Sequence, residues 1–499
     1  MKYGIGKGRD MKKRYLFISI LTNIIAISMI PLNLFLFHTK EWVTLLFAGL
    51  TIAVFLLFVV KGNGKKRSQI LLGVFMVFTV FLTLVGTFCN PYWNSVTFKN
   101  WENTKAFDSE LSYSEAEADL DFAMHYLKKV HPLFLDGVPE NVSVEYKKAL
   151  EDLQKAERID VTLLNQKLQN ILSVLQEGHT CSYAAYGTEH YMKYTQQSKE
   201  NGETLMAVNG MELLKLLEEK SDLYSYEVES WGLRQLKQDL STLEGLAFLD
   251  IPVGEGVSYT FEDPDGNQRV ITCQKEDFVT YEEYVSLYGQ EEEEEDEPFV
   301  SYEIDMEHDL AVLTLMECHY NDTYKNVLRD MFTEVADNGI ANVAVDIRNN
   351  GGGNSMVIDE FLHYLDIDTY KTDTYNWRLG MFIFPMGKGI MENKKYTELT
   401  FGGNVYVLTS SGTFSSAMMF AEYIKDNHLG TIIGEAPGNI PSGYGDITIF
   451  QLPESGLYMH VSTKKFFRAD KESDDFLVSP DMECNAEDAF AYLYEVLDK

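Results

Sequence analysis

Scarcity narrows the possibilities for this 499-residue chain before any motif does. Its cysteines are Cys89, Cys181, Cys273, Cys318 and Cys484, and no two of them form a CxxC pair. Such spacing suggests neither a structural zinc site nor a disulfide framework, and leaves room for one optional disulfide. Basic residues are outnumbered, 42 Lys and Arg against 76 Asp and Glu, for a formal charge of −34. A nucleic-acid binder shows the opposite balance, so that class is set aside. No Gly-Lys-Ser/Thr follows the glycine triplet Gly351–Gly353, which excludes a P-loop. The acidic run Glu291–Glu297 lacks the spaced Asp/Asn/Gly pattern of a calcium loop and reads as a solvated loop.

The charge that is present is unevenly placed. Residues 1–90 hold 11 Lys and Arg against 2 Asp and Glu, while the rest is strongly acidic. The basic segment is interrupted by three charge-free apolar runs, Tyr15–Phe37, Trp42–Val60 and Ile70–Cys89. Each is close to the roughly 20 residues that cross a bilayer. Basic residues precede the first run and separate the second from the third, whereas "HTKE" between the first two is nearly neutral. The positive-inside rule then puts the N-terminus in the cytoplasm and everything after Cys89 outside. Tyr92, Trp93 and Trp101 fit an interfacial aromatic belt. The expectation is a three-span anchor in the lipid bilayer, followed by an extracytoplasmic part.

Beyond a juxtamembrane linker over 91–112, a helical subdomain is expected over 113–189. Ser114 and Glu117 are spaced as a capping box, and helices are expected to end at His131–Pro132, near Ala156 and at Gly178. Residues 190–300 read as a small mixed domain with the acidic loop; "LMAVNGMELLKLL" has a strand, a turn at Asn209–Gly210 and a helix, and a hairpin is expected around Asp265–Gly266. From 301 to 499, strands and helices alternate: "DLAVLTL", "ANVAVDIR", "NVYVLTS" and "TIIGE" are near-continuous apolar strands. This pattern indicates a largely parallel sheet covered by helices, with ligands at the C-terminal strand ends. "NNGGGN" and the hydroxyl-rich "TSSGTFSSAMMFAEYIKD" (Thr409–Asp426) both fall there.

A serine where a strand becomes a helix has two uses. Capping is the commoner one. The other is nucleophilic attack on a carbonyl, with the next backbone amide holding the oxyanion. Ser415 and Ser416 stand at that point. Gly351–Gly353 allow close backbone approach and could present amides, or could simply make a tight turn. His179, in "EGHTCSY", is the best-placed base, and Asp470, Glu472, Asp474 and Asp475 in "RADKESDDF" are candidates to orient its ring.

Together these pieces resemble the C-terminal processing (tail-specific) serine peptidase family, including its tricorn core branch. "DIRNNGGG" resembles the family's "DLRGNGGG", "SSGTFSSAMMFAEYIKD" its nucleophile segment, and "LVSPDMEC" its late Pro-Asp stretch. The resemblance covers roughly residues 115–490 and puts the nucleophile on Ser415. One departure matters: the loop "GEAPGNIPSGYG" has no lysine where the processing peptidases place their dyad base. The tricorn-like branch instead uses a histidine in a "GHT"-like segment and a late glutamate, which match His179 and, more loosely, Glu472. The family's PDZ module is reduced to an "NG" turn and a helix, a degenerate PDZ-like element at most.

The resemblance implies a ClpP/crotonase-like α/β fold, a mixed sheet with covering helices. It also implies an acyl-enzyme peptidase with Ser415, His179 and Glu472 as the triad, and amides of Gly352, Gly353 and Ser416 as the oxyanion hole. No metal or organic cofactor is implied, and the partner is a peptide or protein substrate. Two other readings stay open on sequence: a catalytically inactive peptide-binding sensor or scaffold of the same fold, and a serine esterase.

Overall fold

A computed structural model describes residues 14–28, 41–62, 66–88, most of 91–99, 104–184, 189–195, 198, 201–288 and 298–498. The acidic run Glu291–Glu297, the second half of the first apolar run, Trp93 and Trp101 lie outside the described residues. The chain divides into two compact units, Met1–Asn100 and Trp101–Lys499.

The first unit consists of a helix over 14–28 and the helices Glu41–Gly62 and Lys66–Phe88. Its packing is inverted relative to a water-soluble bundle. Ser19, Asn23, Thr51, Thr79 and Thr83 are buried, while Phe17, Leu46, Leu56, Val60 and Leu71 are exposed. Thr83 donates its hydroxyl to the Ala26 carbonyl at 3.2 Å, a tie between helices. Among the described residues no helix is long and apolar enough to cross a membrane, so the fold does not support the expected membrane helix bundle.

The second unit begins with the helices Tyr113–Val130, Glu140–Lys155 and Val161–Ser173. The capping box is Ser112 with Glu115, two residues earlier than the expected Ser114 and Glu117. "SYSEAE" contains both spacings, and the chain uses the first because Ser112 takes the extended conformation a cap requires. The third helix is capped at Val174 rather than at Gly178, so His179 does not directly follow a helix.

A small mixed region follows. Thr204–Val208 turns through Asn209 and Gly210, both at positive φ, into Met211–Glu212 and the helix Leu213–Glu219. Val257–Glu262 and Gln268–Cys273 form the expected hairpin.

The core sheet runs, by first residue, in the order Met482, Thr431, Asn404, Asn342, Leu310, Val300. Its pairs are parallel except for the antiparallel Val300–Asp305 edge strand. The central strands are apolar throughout because both faces are covered. Helices Asp322–Asn338, Met356–Leu362 and Ser416–Asp426 share one buried cluster with the sheet, and Ala489–Leu497 covers the other face. A second sheet pairs Tyr458–Phe467 with Tyr444–Gln451, Thr374–Leu379 and Ser182–Tyr183. That pairing joins the segment carrying His179 to the catalytic core.

Candidate active site

The hydroxyl-rich turn answers the question its sequence poses. Thr409 Oγ1 donates to the Glu435 carbonyl, Thr413 Oγ1 to the Ile347 carbonyl and Ser416 Oγ to the Gly353 carbonyl, all within 2.7–2.8 Å. Ser410 Oγ accepts the Gly412 amide at 3.0 Å. These hydroxyls hold the loop. Ser415 stands at the N-cap of the Ser416–Asp426 helix, yet its side chain makes no capping bond. Its backbone sits at φ 55°, ψ −122°, a conformation that a residue with a Cβ rarely adopts.

Surrounding bonds enforce that backbone. The Ser415 amide donates to Asn439 Oδ1 at 2.7 Å, the Phe414 amide to the Asn350 carbonyl at 2.9 Å, and the Met419 amide to the Ser415 carbonyl at 3.0 Å. The two glycine-dependent approaches are real. Gly352 has φ 103°, and a Cβ there would come within 2.7 Å of the Ser415 Cβ; Gly353 has φ 133°, and a Cβ there would meet the Cys318 carbonyl at 2.5 Å. Asn439 is a residue that sequence reasoning missed. Asn439→Ala is expected to slow Ser415 labelling by an acylating probe roughly ten- to a hundredfold, through misplacement rather than lost contact with the probe. An unchanged labelling rate overturns the positioning role.

Ser415 and His179 line one cavity of about 180 Å³, with Gly353 and Ser416 also in its wall. The His179 ring packs on Phe414, centroids 4.5 Å apart, and Phe414 stacks in turn on Trp231 at 4.1 Å. The residue before the nucleophile therefore seats the base. His179 is 9% exposed, and among the described residues neither ring nitrogen has a hydrogen-bond partner. Burial pushes its pKa below the ordinary imidazole value, against the pull of the Glu177 and Asp446 charges.

What fixes His179 is Glu177, two residues before it, whose Oε2 accepts the His179 amide at 2.9 Å. Glu177 Oε1 meets His131 Nε2 at 3.1 Å and accepts from Ser462 Oγ at 3.1 Å. Burial, the largest single effect, acts to raise this carboxyl, but the interactions with His131, His179 and Thr180 together outweigh it and hold Glu177 well below the usual carboxylate range. "EGHT" displayed Glu177 in the sequence, but nothing local tied it to His131 or Ser462.

One expected member does not join the site, and another lies in it with its amide already bonded. Glu472 is exposed and lines a separate surface cavity with Arg468 and Asp481. Its loop is organised for its own folding: the Glu472 amide donates to Asp470 Oδ1 at 3.1 Å, Asp470 pairs with Lys371 at 2.7 Å, and Asp475 accepts the Leu477 and Ser479 amides. Gly352 packs against Ser415, but its amide donates to Asn350 Oδ1 at 2.8 Å and is not free for an oxyanion. Gly353 and Ser416 do line the cavity.

Comparison with known proteins bears on the fold of the core that carries Ser415. Residues 309–484, the stretch containing the core sheet and Ser415, match the model of peptidase family S41. The chain carries a peptidase family S41 domain. Its enzyme class is serine peptidase. A structure of mature CPAF complexed with lactacystin shares the fold, with TM-score 0.55 at 13% identity over 77% of this chain and 97% of that one. A mutant of CPAF gives TM-score 0.55 at 14% identity over 78% of this chain and 96% of that one. At such identity the likeness speaks for the fold alone. No protein of curated function matches the chain.

Proposed function

We propose that the chain is a serine endopeptidase that cleaves peptides or proteins through an acyl-enzyme, with Ser415 as nucleophile and His179 as general base. The observation that carries this reading is the shared cavity: a serine held in a strained backbone without a capping bond, beside a buried imidazole with both nitrogens unpartnered among the described residues. Neutral His179 takes the Ser415 proton as the oxygen attacks the carbonyl carbon, and later delivers it to the leaving amine. The Ser416 and Gly353 amides hold the oxyanion, each contributing about 3–4 kcal/mol in comparable sites. Glu177 positions the base through its backbone. The His-based arrangement follows the tricorn-like branch, without Glu472 in the orienting role.

His179→Ala is expected to lower kcat/KM by at least about a thousandfold while the protein still folds. Hydrolysis left intact removes His179 as the base. The pH profile carries the sign of its environment. The base works only when neutral, and burial lowers its pKa. Activity therefore persists as pH drops past the ordinary imidazole value of about 6.5 and is lost only below it. An acid limb inflecting above that value overturns the assignment.

Membrane attachment, with the N-terminus cytoplasmic and the catalytic part outside, completes the proposal. Its support is the inverted first unit, with small polar side chains inside and large apolar ones outside, as lipid-facing bundles pack. Glu41–Gly62 and Lys66–Phe88 are 22 and 23 residues long. At about 1.5 Å per residue that length matches a hydrocarbon core of about 30 Å. The stretch Trp42–Val60 contains no charge at all. In sealed vesicles of known sidedness, external protease is expected to digest a tag after Lys499 and to spare one before Met1. Extraction of the whole chain by carbonate overturns the anchor.

A further inference from the structure

The cavity beside Ser415 has a wall that the mechanism does not use. Met418, Met419, Tyr375 and Phe466 give it an apolar lining, and two carboxyl groups, Glu422 and Asp373, stand among them. Glu422 lies two turns along the helix that Ser415 opens, hence on the same face. It is 1% exposed, and Asp373 9%. One Glu422 oxygen accepts the Ala469 amide at 2.7 Å, and among the described residues no hydrogen bond to the other is found. Asp373 Oδ1 accepts from the Tyr423 hydroxyl, and the carboxyl also lies near its own backbone amide.

The nearby cations are already engaged. Arg468 forks onto Asp426 at 2.7 and 2.9 Å. Lys464, which also lines the cavity, pairs with Asp446 at 2.9 Å and lies over the Tyr375 ring at 4.4 Å. Arg468 and Lys464 therefore act on Glu422 and Asp373 only through space, and among the described residues neither carboxyl has a bonded cation. A buried acid with an open oxygen is costly unless paired, and a cationic substrate group would supply the pair.

We infer that this part of the cavity receives the side chain preceding the cleaved bond, and that Glu422 and Asp373 select lysine or arginine there. The inference rests on the peptidase reading above and names its substrate class. The long stem lies along the methionines and rings, and the charged tip reaches the two acids. At about 180 Å³ the cavity is sized for a side chain rather than a drug-like ligand. An acidic side chain would add another buried carboxyl and is rejected.

The test uses the full-length chain and a set of internally quenched peptides differing only at the residue before the scissile bond. Arginine and lysine peptides are expected to exceed leucine, alanine and glutamate ones in kcat/KM by about tenfold or more. With the assay at about pH 8.5, the arginine-to-leucine ratio is expected to fall about tenfold in Glu422→Gln, and separately in Asp373→Asn. Benzamidine, a small cation probe, is expected to slow Ser415 labelling in the unaltered chain. Leucine preferred over arginine overturns this inference and leaves the peptidase standing, as does an unchanged ratio in both variants. Absence of Ser415-dependent cleavage of any peptide overturns both.

Discussion

Ser415→Gly is expected to abolish hydrolysis and, in the same protein, to raise the stability of the fold. The first half follows from the nucleophile: without the hydroxyl no acyl-enzyme forms, and kcat/KM falls by at least about 10⁴-fold. The second follows from φ 55°, ψ −122° at this residue. Holding a residue with a Cβ in so sparse a region costs about 1–3 kcal/mol, and glycine removes that cost. Glycine also loosens the unfolded chain, which gives back about 0.5–1 kcal/mol. The net expectation is a gain of about 1 kcal/mol. Ser415→Ala separates the two effects, since it loses the hydroxyl but keeps the Cβ. It should be equally inactive and no more stable than the unaltered chain. Denaturant midpoints and fluorophosphonate labelling of the three proteins decide the matter. Turnover surviving in Ser415→Ala removes Ser415 as nucleophile. A glycine variant less stable than the alanine one removes the strain.

That strain explains why much of the site was legible in sequence. Signals that are local in the chain came through. The strand–glycine–helix punctuation of "DIRNNGGGN" and "NVYVLTSSGTFSS" marks places where backbone must approach backbone, and Gly352 and Gly353 do so. The apolar runs of the central strands announce a sheet buried on both faces, and the parallel pairing agrees. Errors arose where the outcome depends on partners far along the chain. "SYSEAE" holds two equivalent capping boxes, and only packing chooses Ser112. Gly352 looks like an amide donor until Asn350 Oδ1 claims it. Glu472 sits among several acids, and spacing does not show that this loop satisfies itself. Asn439, Glu177 and Glu422 were missed for the same reason. Each acts through a bond, or along a helix face, that no periodicity records.

Glu422→Gln is expected to stabilise the protein at pH 8 and to leave its stability nearly unaltered below pH 4.5. Burial is the leading cause that lifts the Glu422 carboxyl to about 8, reinforced by Asp426 and Asp373 and opposed by the Ala469 amide. In the unfolded chain it titrates near 4.5. Between those values the folded protein keeps a proton that the unfolded chain has released. Its contribution to stability is therefore complete below pH 4.5 and is lost as pH rises towards 8. A glutamine resembles the protonated acid, can still accept the Ala469 amide through its own oxygen, and does not titrate. The gap between variant and unaltered chain should open steadily over that window, reaching up to about 4 kcal/mol at pH 8. Glu227, which burial likewise raises to about 8, titrates in both proteins and cancels in the difference. Melting temperatures at pH 4.5, 6 and 8 measure it: a gap independent of pH, or one that closes as pH rises, overturns the argument. The same substitution is the one expected to weaken arginine selection. A carboxyl that destabilises the folded chain at neutral pH is retained, on this account, because an incoming cation supplies what the fold does not, and a small cation such as benzamidine should raise the melting temperature of the unaltered chain more than that of Glu422→Gln.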